Sequence, residues 1–455
     1  MKPIHVLAAL AIVVLAVPLL MSHAMSFPPR DGEITLRGHL NTRCISHNGG
    51  TVFLQMEVNT EGFPVPDRVY RPMNIAVVLD RSGSMADDKK IAYAKQAVLS
   101  LIDRLSSSDY LSIVIYDDQI ETLLPTQRVT DKSRIKHLVQ EVYPHGSTNL
   151  GGGMQEGFRQ AERIPTKSGR EYVNRVILLS DGLANQGITD PHELNRIASR
   201  YRSKSISLTT MGVGLDYNEN LMLGLAEAGG GNYYFIESPR QIASIFEKEL
   251  KGLVDVVAQN AHIELTLGKG ITLNDVIGCA WNREGDRWII PLGDLYANDH
   301  RELSVELNIS EGSGTKHVAK GVLRYDGDRG WPLSNPSFSV NLRYTDDAAE
   351  LMNGKDYDTQ AKVDVAVSTR KVERAMEAID AGRREEAAQQ LYEAKSMLLS
   401  SPAITNSAAG APMMQEQIRE LDEYAKDMKD DSVDARKVKK SMQYKNYKTQ
   451  KQKKD

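Results

Sequence analysis

Three patterns of apolar and polar positions follow one another along the chain. In the first, Thr51-Val-Phe-Leu-Gln-Met-Glu-Val-Asn59 alternates apolar and polar residues, the period of a half-buried strand. Glu33–Thr60 therefore predicts two strands around a polar turn at His47–Gly50, and Pro64, Pro66 and Pro72 mark a linker. The second pattern starts at Asn74. Ile75–Leu79, Leu111–Tyr116, Val176–Leu179, Ile206–Val213 and Tyr233–Ile236 are short, largely apolar runs, as expected of strands buried on both faces. Between them lie helical stretches near 88–105, 131–142, 151–163, 191–201 and 220–228, with a last one at 240–256. Alternating strands and helices of this kind predict a mainly parallel sheet covered on both sides.

After Val257 the strand pattern returns, at His262–Leu267, Arg287–Leu292, Glu302–Ile309, Lys316–Arg324 and Ser337–Tyr344, with turns such as Asp326-Gly327. This reads as an antiparallel β-sandwich. The strands before Pro64 share its character, so the α/β domain is expected to be inserted into one discontinuous β domain; an independent early flap is the alternative. From Asp358 the period becomes helical. Val372, Ala375, Met376 and Ile379 mark one face, and Leu391, Ala394 and Leu398 mark another after a turn at Ala381-Gly382. Beyond a loop at Ser400–Pro412, Met414, Ile418, Leu421, Ala425 and Met428 mark a third helix. A packed helical hairpin explains these faces better than a cofactor site. The first two helices also permit one tetratricopeptide-like unit.

The expected fold class is thus α/β, a doubly wound, mainly parallel, Rossmann-like sheet inserted in an antiparallel β-sandwich and followed by a C-terminal helical region. The expected boundaries are 25–73 and 257–346 for the two parts of the sandwich, 74–256 for the α/β domain and 358–430 for the helices. A length of 455 residues accommodates these units.

The termini add targeting and charge. Lys2, the apolar run Val6–Met21 and Ser22-His23-Ala24 have the three parts of a secretory signal over residues 1–24. Cleavage after Ala24 is the favoured reading, an uncleaved membrane anchor the alternative, and no other segment is apolar enough to span a bilayer. Export to a periplasm, cell envelope or medium is expected. Cys44 and Cys279 then permit one disulfide, with two unpaired buried thiols as the other reading. Net charge is −4, but Arg436–Asp455 holds nine Lys or Arg against one Asp and carries +8. Residues 431–455 read as a basic, solvated, disordered tail. Contact with anionic lipid or an envelope polymer is a secondary expectation, and no nucleic-acid partner is expected of an exported chain.

Candidate chemistry gathers after the buried strands. Asp80-Arg-Ser82-Gly-Ser84 follows Ile75–Leu79, Ser147-Thr148-Asn149 precedes a helix, and Ser180-Asp181-Gly182 ends Val176–Leu179. In an open α/β sheet, loops at the carboxyl ends of strands form the ligand crevice. Asp80, Ser82, Ser84, Thr148 and Asp181 offer only hard oxygen atoms, with no thiolate or imidazole. Such a set favours Mg²⁺ first, with Ca²⁺ or Mn²⁺ as alternatives, over Zn²⁺ or Cu²⁺. Helix capping by Ser and Asp is the competing explanation, but it does not account for all five on one edge. The chain has no phosphate-binding loop, no His-Glu-x-x-His and no Gly-x-Ser-x-Gly, so no catalytic residue and no enzyme activity are expected. Gly151-Gly-Gly153 reads as a flexible loop behind Thr148, and His137 and His145 as surface or packing residues.

Asp-x-Ser-x-Ser, then Thr, then Asp, at the ends of successive sheet elements, resembles the metal-ion-dependent adhesion site of von Willebrand factor A domains. The resemblance covers Asn74 to about Lys251, and Met211-Gly-Val-Gly214 and Gly229-Gly-Gly-Asn-Tyr-Tyr234 fit it too. The wider layout is similar to that of exported bacterial proteins of this type and of inter-α-trypsin-inhibitor heavy chains. The resemblance implies that Ser82, Ser84 and Thr148 ligate the metal directly, and that Asp80 and Asp181 act directly or through water. It further implies a metal-dependent protein-binding module of the cell envelope, for adhesion or assembly, whose cation takes an Asp or Glu carboxylate of a partner protein. An accessory or scaffold subunit with a purely structural metal is the alternative.

Overall fold

The computed structural model describes residues 34–60, 72–164, 172–254, 256–327 and 335–451, and every count below refers to these. The signal sequence, Pro64 and Pro66 lie outside them.

The central sheet has six strands: β4 (Met73–Asp80), β5 (Tyr110–Tyr116), β6 (Ile120–Arg128), β7 (Val173–Ser180), β8 (Ile206–Val213) and β9 (Gly230–Ile236). Their order is β6-β5-β4-β7-β8-β9, parallel except for the edge strand β6. All eight residues of β4, of β7 and of β8 are buried, which is why each reads as a largely apolar run. The alternation is between two cores. Ile75, Val77 and Leu79 face one side, with α1 (Lys90–Arg104), α2 (Lys132–Gln140) and α6 (Ile242–Val254). Ala76 and Val78 face the other, with α3 (Leu150–Ala161), α4 (Pro191–Arg202) and α5 (Glu219–Gly229).

The strands on either side of this domain share one sandwich. They are β1 (Thr35–Leu40), β2 (Cys44–Ile45) and β3 (Gly50–Asn59) before it. After it come β10 (Val256–Leu267), β11 (Ile271–Val276), β12 (Asn282–Glu284), β13 (Arg287–Tyr296), β14 (His300–Ile309), β15 (Thr315–Gly327) and β16 (Ser337–Tyr344). The two sheets run β1-β3-β14-β11 and β12-β13-β10-β15-β16-β2. β3 pairs with β14 along its whole length, from Gly50↔Ile309 to Asn59↔His300, so the early strands are not a separate flap. Arg175 of β7, fully buried, donates to Asp294 of β13 at 2.8 Å and joins the α/β domain to the sandwich.

Cys44 and Cys279 are not bonded to each other. Cys44 begins β2, at the edge where β1 packs over β16. Cys279 follows β11, at the opposite edge of the sandwich, so the disulfide reading is corrected by topology.

Six C-terminal helices follow: α7 (Ala348–Asn353), α8 (Tyr357–Asp380), α9 (Arg384–Ser400), α10 (Ala403–Asn406), α11 (Ala411–Lys429) and α12 (Ala435–Lys451). α8, α9, α11 and α12 share one core, and none of the described helices is long and apolar enough to cross a membrane. The expected solvated, disordered tail is corrected here. α12 buries Val438, Met442 and Tyr447. Its lysines meet acids of the rest of the chain: Lys437 with Glu237, Lys439 with Asp380 and Glu219, Lys440 with Glu219 and Lys445 with Glu420. These partners engage four of the nine basic side chains of Arg436–Asp455.

Candidate metal centre

The five oxygen-bearing residues converge because of how the sheet ends. β4 and β7 are parallel neighbours in register, Leu79 beside Leu179, so Asp80 and Asp181 leave the sheet at the same edge. Both are fully buried. The loop after Asp80 turns back at once. The Ser82 N–H donates to Asp80 Oδ1 at 2.8 Å, and the Gly83 N–H donates to the Gly146 carbonyl at 3.1 Å, tying this loop to the one that carries Thr148. Asn149 then caps α3 through the Gly152 N–H, and the Thr148 N–H donates to Asn185 Oδ1 at 3.0 Å. The Gly151-Gly-Gly153 run is therefore helical, which corrects its reading as a flexible loop. A Cβ on Gly153 would lie 2.6 Å from the Tyr116 ring, so glycine lets α3 approach the sheet.

The side chains form one connected group. Ser82 Oγ and Ser84 Oγ are 3.2 Å apart, and Ser84 Oγ donates to Asp181 Oδ1 at 2.8 Å. Thr148 Oγ1 has no hydrogen-bond partner among the described residues. A Cβ on Gly182 would meet Thr148 Oγ1 at 3.1 Å and Ser84 Oγ at 3.9 Å, so glycine keeps open the space those hydroxyls face. Asp80 Oδ2 accepts from Ser180 Oγ at 2.7 Å and, more weakly, from the Tyr116 hydroxyl at 3.4 Å. Burial pushes the Asp80 carboxyl up to about 6; the hydrogen bonds from Ser180 and Ser82 oppose the rise, and the Asp181 charge adds to it. Two carboxylates, two linked hydroxyls and one unpartnered hydroxyl around a glycine-kept gap fit a hard divalent ion. Ser82, Ser84 and Thr148 would hold it, with Asp80 beside them.

Several members of this group escaped the sequence reading. Ser180 and Tyr116 anchor Asp80, and Asn185 fixes the Thr148 loop. Lys90 is the most consequential. Its Nζ donates to Asp181 Oδ2 at 2.7 Å, with 7% of the side chain exposed. The signal was available, since Lys90 sits in line with Ala94, Ala97, Val98 and Leu101 on the buried stripe of α1. Both Asp181 oxygens thus have internal donors, which suits a contact to the ion through water.

A second acidic group lies nearby. Ligand atoms of Asp117, Asp118 and His145 fall within 4.8 Å of one another. Asp117 already accepts from Arg81 Nε at 2.7 Å and from the Gln119 N–H at 2.6 Å, and His145 Nδ1 lies 3.0 Å from it. Its geometry is that of a loop organiser. His137 and His145 are both exposed.

Residues 74–248 match the family description von Willebrand factor type A domain. The α/β unit is a von Willebrand factor type A domain. The Escherichia coli (strain K12) protein YfbK is 29% identical over 193 residues, covering 42% of this chain and 33% of that one. Human inter-alpha-trypsin inhibitor heavy chain H3 is 26% identical over 223 residues, covering 45% and 24%. The chain thus spans a third or less of the length of these two relatives. Among solved structures, the von Willebrand factor type A protein from Catenulispora acidiphila superposes with a TM-score of 0.67 at 17% identity, covering 87% of this chain and 91% of that chain. At that identity the likeness is one of fold, and it extends well beyond the A domain.

Proposed function

We propose that this protein is a non-enzymatic, metal-dependent protein-binding module of the cell envelope, for adhesion or assembly. Its A domain holds a divalent cation, Mg²⁺ by preference, with Ca²⁺ or Mn²⁺ able to replace it. A partner's Asp or Glu carboxylate completes the coordination. The observation that carries this reading is the convergence of Ser82, Ser84 and Thr148 hydroxyls with two buried carboxylates on one sheet edge. Mg²⁺ bound to proteins keeps positions open to exchangeable ligands. The surroundings support a protein as the source of that ligand. Leu183, next to Gly182, and Tyr143, two residues before His145, are among the large apolar side chains left exposed, at 55% and 64%. Export rests on the N-terminal sequence pattern.

The test is capture of partners from envelope extract on the immobilised full chain in Mg²⁺, followed by elution with chelator. Capture that survives chelator, or that is equal for Asp80→Ala and Ser82→Ala, would sink the proposal. The hold of Ser84 and Lys90 on both Asp181 oxygens favours a second reading, a scaffold subunit whose metal only locks loops. In that case chelation lowers thermal stability and leaves capture unchanged.

A further inference from the structure

Lys90 places a positive charge inside a site built from negative ones. Its ammonium meets Asp181 Oδ2 at 2.7 Å, below the protein surface. The turn after β8 covers it: a Cβ on Gly214 would lie 3.7 Å from Lys90 Cε and 3.8 Å from Nζ. Fully exposed Lys–carboxylate pairs are cheap to open, because water replaces the partner. This one has no such exchange, since the Asp181 side chain is fully buried and the lysine nearly so. The charge therefore stays beside whatever occupies the gap at Gly182.

The consequence follows from counting charges. Ionised Asp80 and Asp181 carry two negative charges and Lys90 one positive, so the site is short of neutrality by one. A divalent cation overshoots to one positive charge. Without Lys90 the same cation would neutralise the two carboxylates outright. With it, neutrality is reached only when one further anion arrives. Lys90 thus opposes the cation alone and favours the cation together with an anionic ligand. The favoured anion is a carboxylate, a hard oxygen donor of single charge, which matches both the ion and the excess.

We propose that Lys90 is a built-in counter-ion that makes cation binding and carboxylate binding depend on each other. The inference rests on the metal reading above and adds to it. The metal affinity of the domain then rises when the partner engages. By linkage, whatever factor the carboxylate adds to metal affinity, the metal adds to carboxylate affinity.

Among the described residues, the Lys90 ammonium has one hydrogen-bond partner, Asp181. Its neighbour Lys89 is exposed and takes no part in the site. The next basic side chain along the loop, Arg81, is committed to Asp117 and Glu121.

The test is a calorimetric titration of Mn²⁺ into the chelator-treated full chain at pH 8, in acetate and in acetamide at matched ionic strength. Wild type is expected to bind Mn²⁺ at least threefold more tightly in acetate. Lys90→Met is expected to bind Mn²⁺ about tenfold more tightly than wild type in acetamide, and to lose most of the acetate effect. Lys90→Arg, which keeps the charge, is expected to behave as wild type. Unchanged or weaker Mn²⁺ binding by folded Lys90→Met overturns the inference, as does a wild type indifferent to acetate. Lys90→Gln is read in the same way where Lys90→Met does not fold, and an acetate effect undiminished in it overturns the inference. Failure of the underlying metal reading looks different: no Mn²⁺ uptake by wild type, or uptake equal in Asp80→Ala.

Discussion

Two buried lysines hold carboxylates on the A domain, and they do so in opposite ways. Lys440 of α12 reaches Glu219 at 2.5 Å and the Tyr217 carbonyl at 2.8 Å, with its ammonium 3.9 Å from the Tyr217 ring centre. Lys439 meets the other Glu219 oxygen at 2.7 Å. There two cations close on one carboxylate, Asp380 takes the surplus, and nothing is left open. At Lys90 one cation faces two carboxylates, and the remaining negative charge borders a gap lined by hydroxyls. An ion pair that closes its own charge fastens two parts of a fold, while one that leaves charge uncompensated makes a place for a ligand.

The difference can be broken most forcefully at the fastening. Glu219→Ala leaves Lys439 and Lys440 buried without their shared acid, and is expected to cost about 3–5 kcal/mol. Chemical denaturation with and without Mg²⁺ checks it. Mg²⁺ should leave the difference from wild type unchanged, because Glu219 has no part in the oxygen site. The converse holds at the metal edge. Mg²⁺ at a hundred times its Kd is expected to stabilise wild type by about 2.7 kcal/mol, and Asp80→Ala should abolish that gain.

A smaller effect separates the two regions by pH. Burial pushes the Glu219 carboxyl up, but the hydrogen bonds and charges of Lys439 and Lys440 outweigh it, and the net shift is downward. The native state therefore binds fewer protons than the unfolded chain between the two values, so stability rises with pH in that interval. The contribution of the fastening is complete above the ordinary glutamate value of about 4.3. It is lost as pH falls through the lowered native value. Unfolding curves across that range should show the loss in wild type and a flatter profile in Glu219→Gln. The smallest expected change in stability is at the rim. Leu183→Ala, at an exposed position, should stay within about 0.5 kcal/mol of wild type while weakening capture of a partner.

The metal edge was open to reading because its residues are polar where a buried strand stops, and that contrast survives without coordinates. The strands β4 and β7 announced themselves for the same reason, through the apolar runs Ile75–Leu79 and Val176–Leu179. The fastening was hidden by its chemistry. Val438, Met442 and Tyr447 are too sparse among lysines to mark a core face, and Glu219, the acid that receives Lys439 and Lys440, lies more than 200 residues away. A basic run next to an acidic body of about −12 was the available clue, and it was read as a solvated tail. Lys90 was hidden differently. It occupies an apolar stripe, but only a neighbour from β7 gives it a role. The short strands went unseen for other reasons: a bulge between Leu273 and Asp275 breaks the alternation of β11, and the three residues of β12 are all polar and exposed.

The central claim is that hydroxyls and carboxylates from three loops hold one divalent ion. Its most direct test is calorimetric titration of Mg²⁺ into wild type and into Thr148→Val, which removes the unpartnered hydroxyl and keeps the side-chain shape. The account predicts saturable uptake at one site in wild type, at least tenfold weaker in Thr148→Val, with the metal-free melting temperatures of the two alike. Equal affinity in the two proteins, or no uptake by wild type, would contradict it.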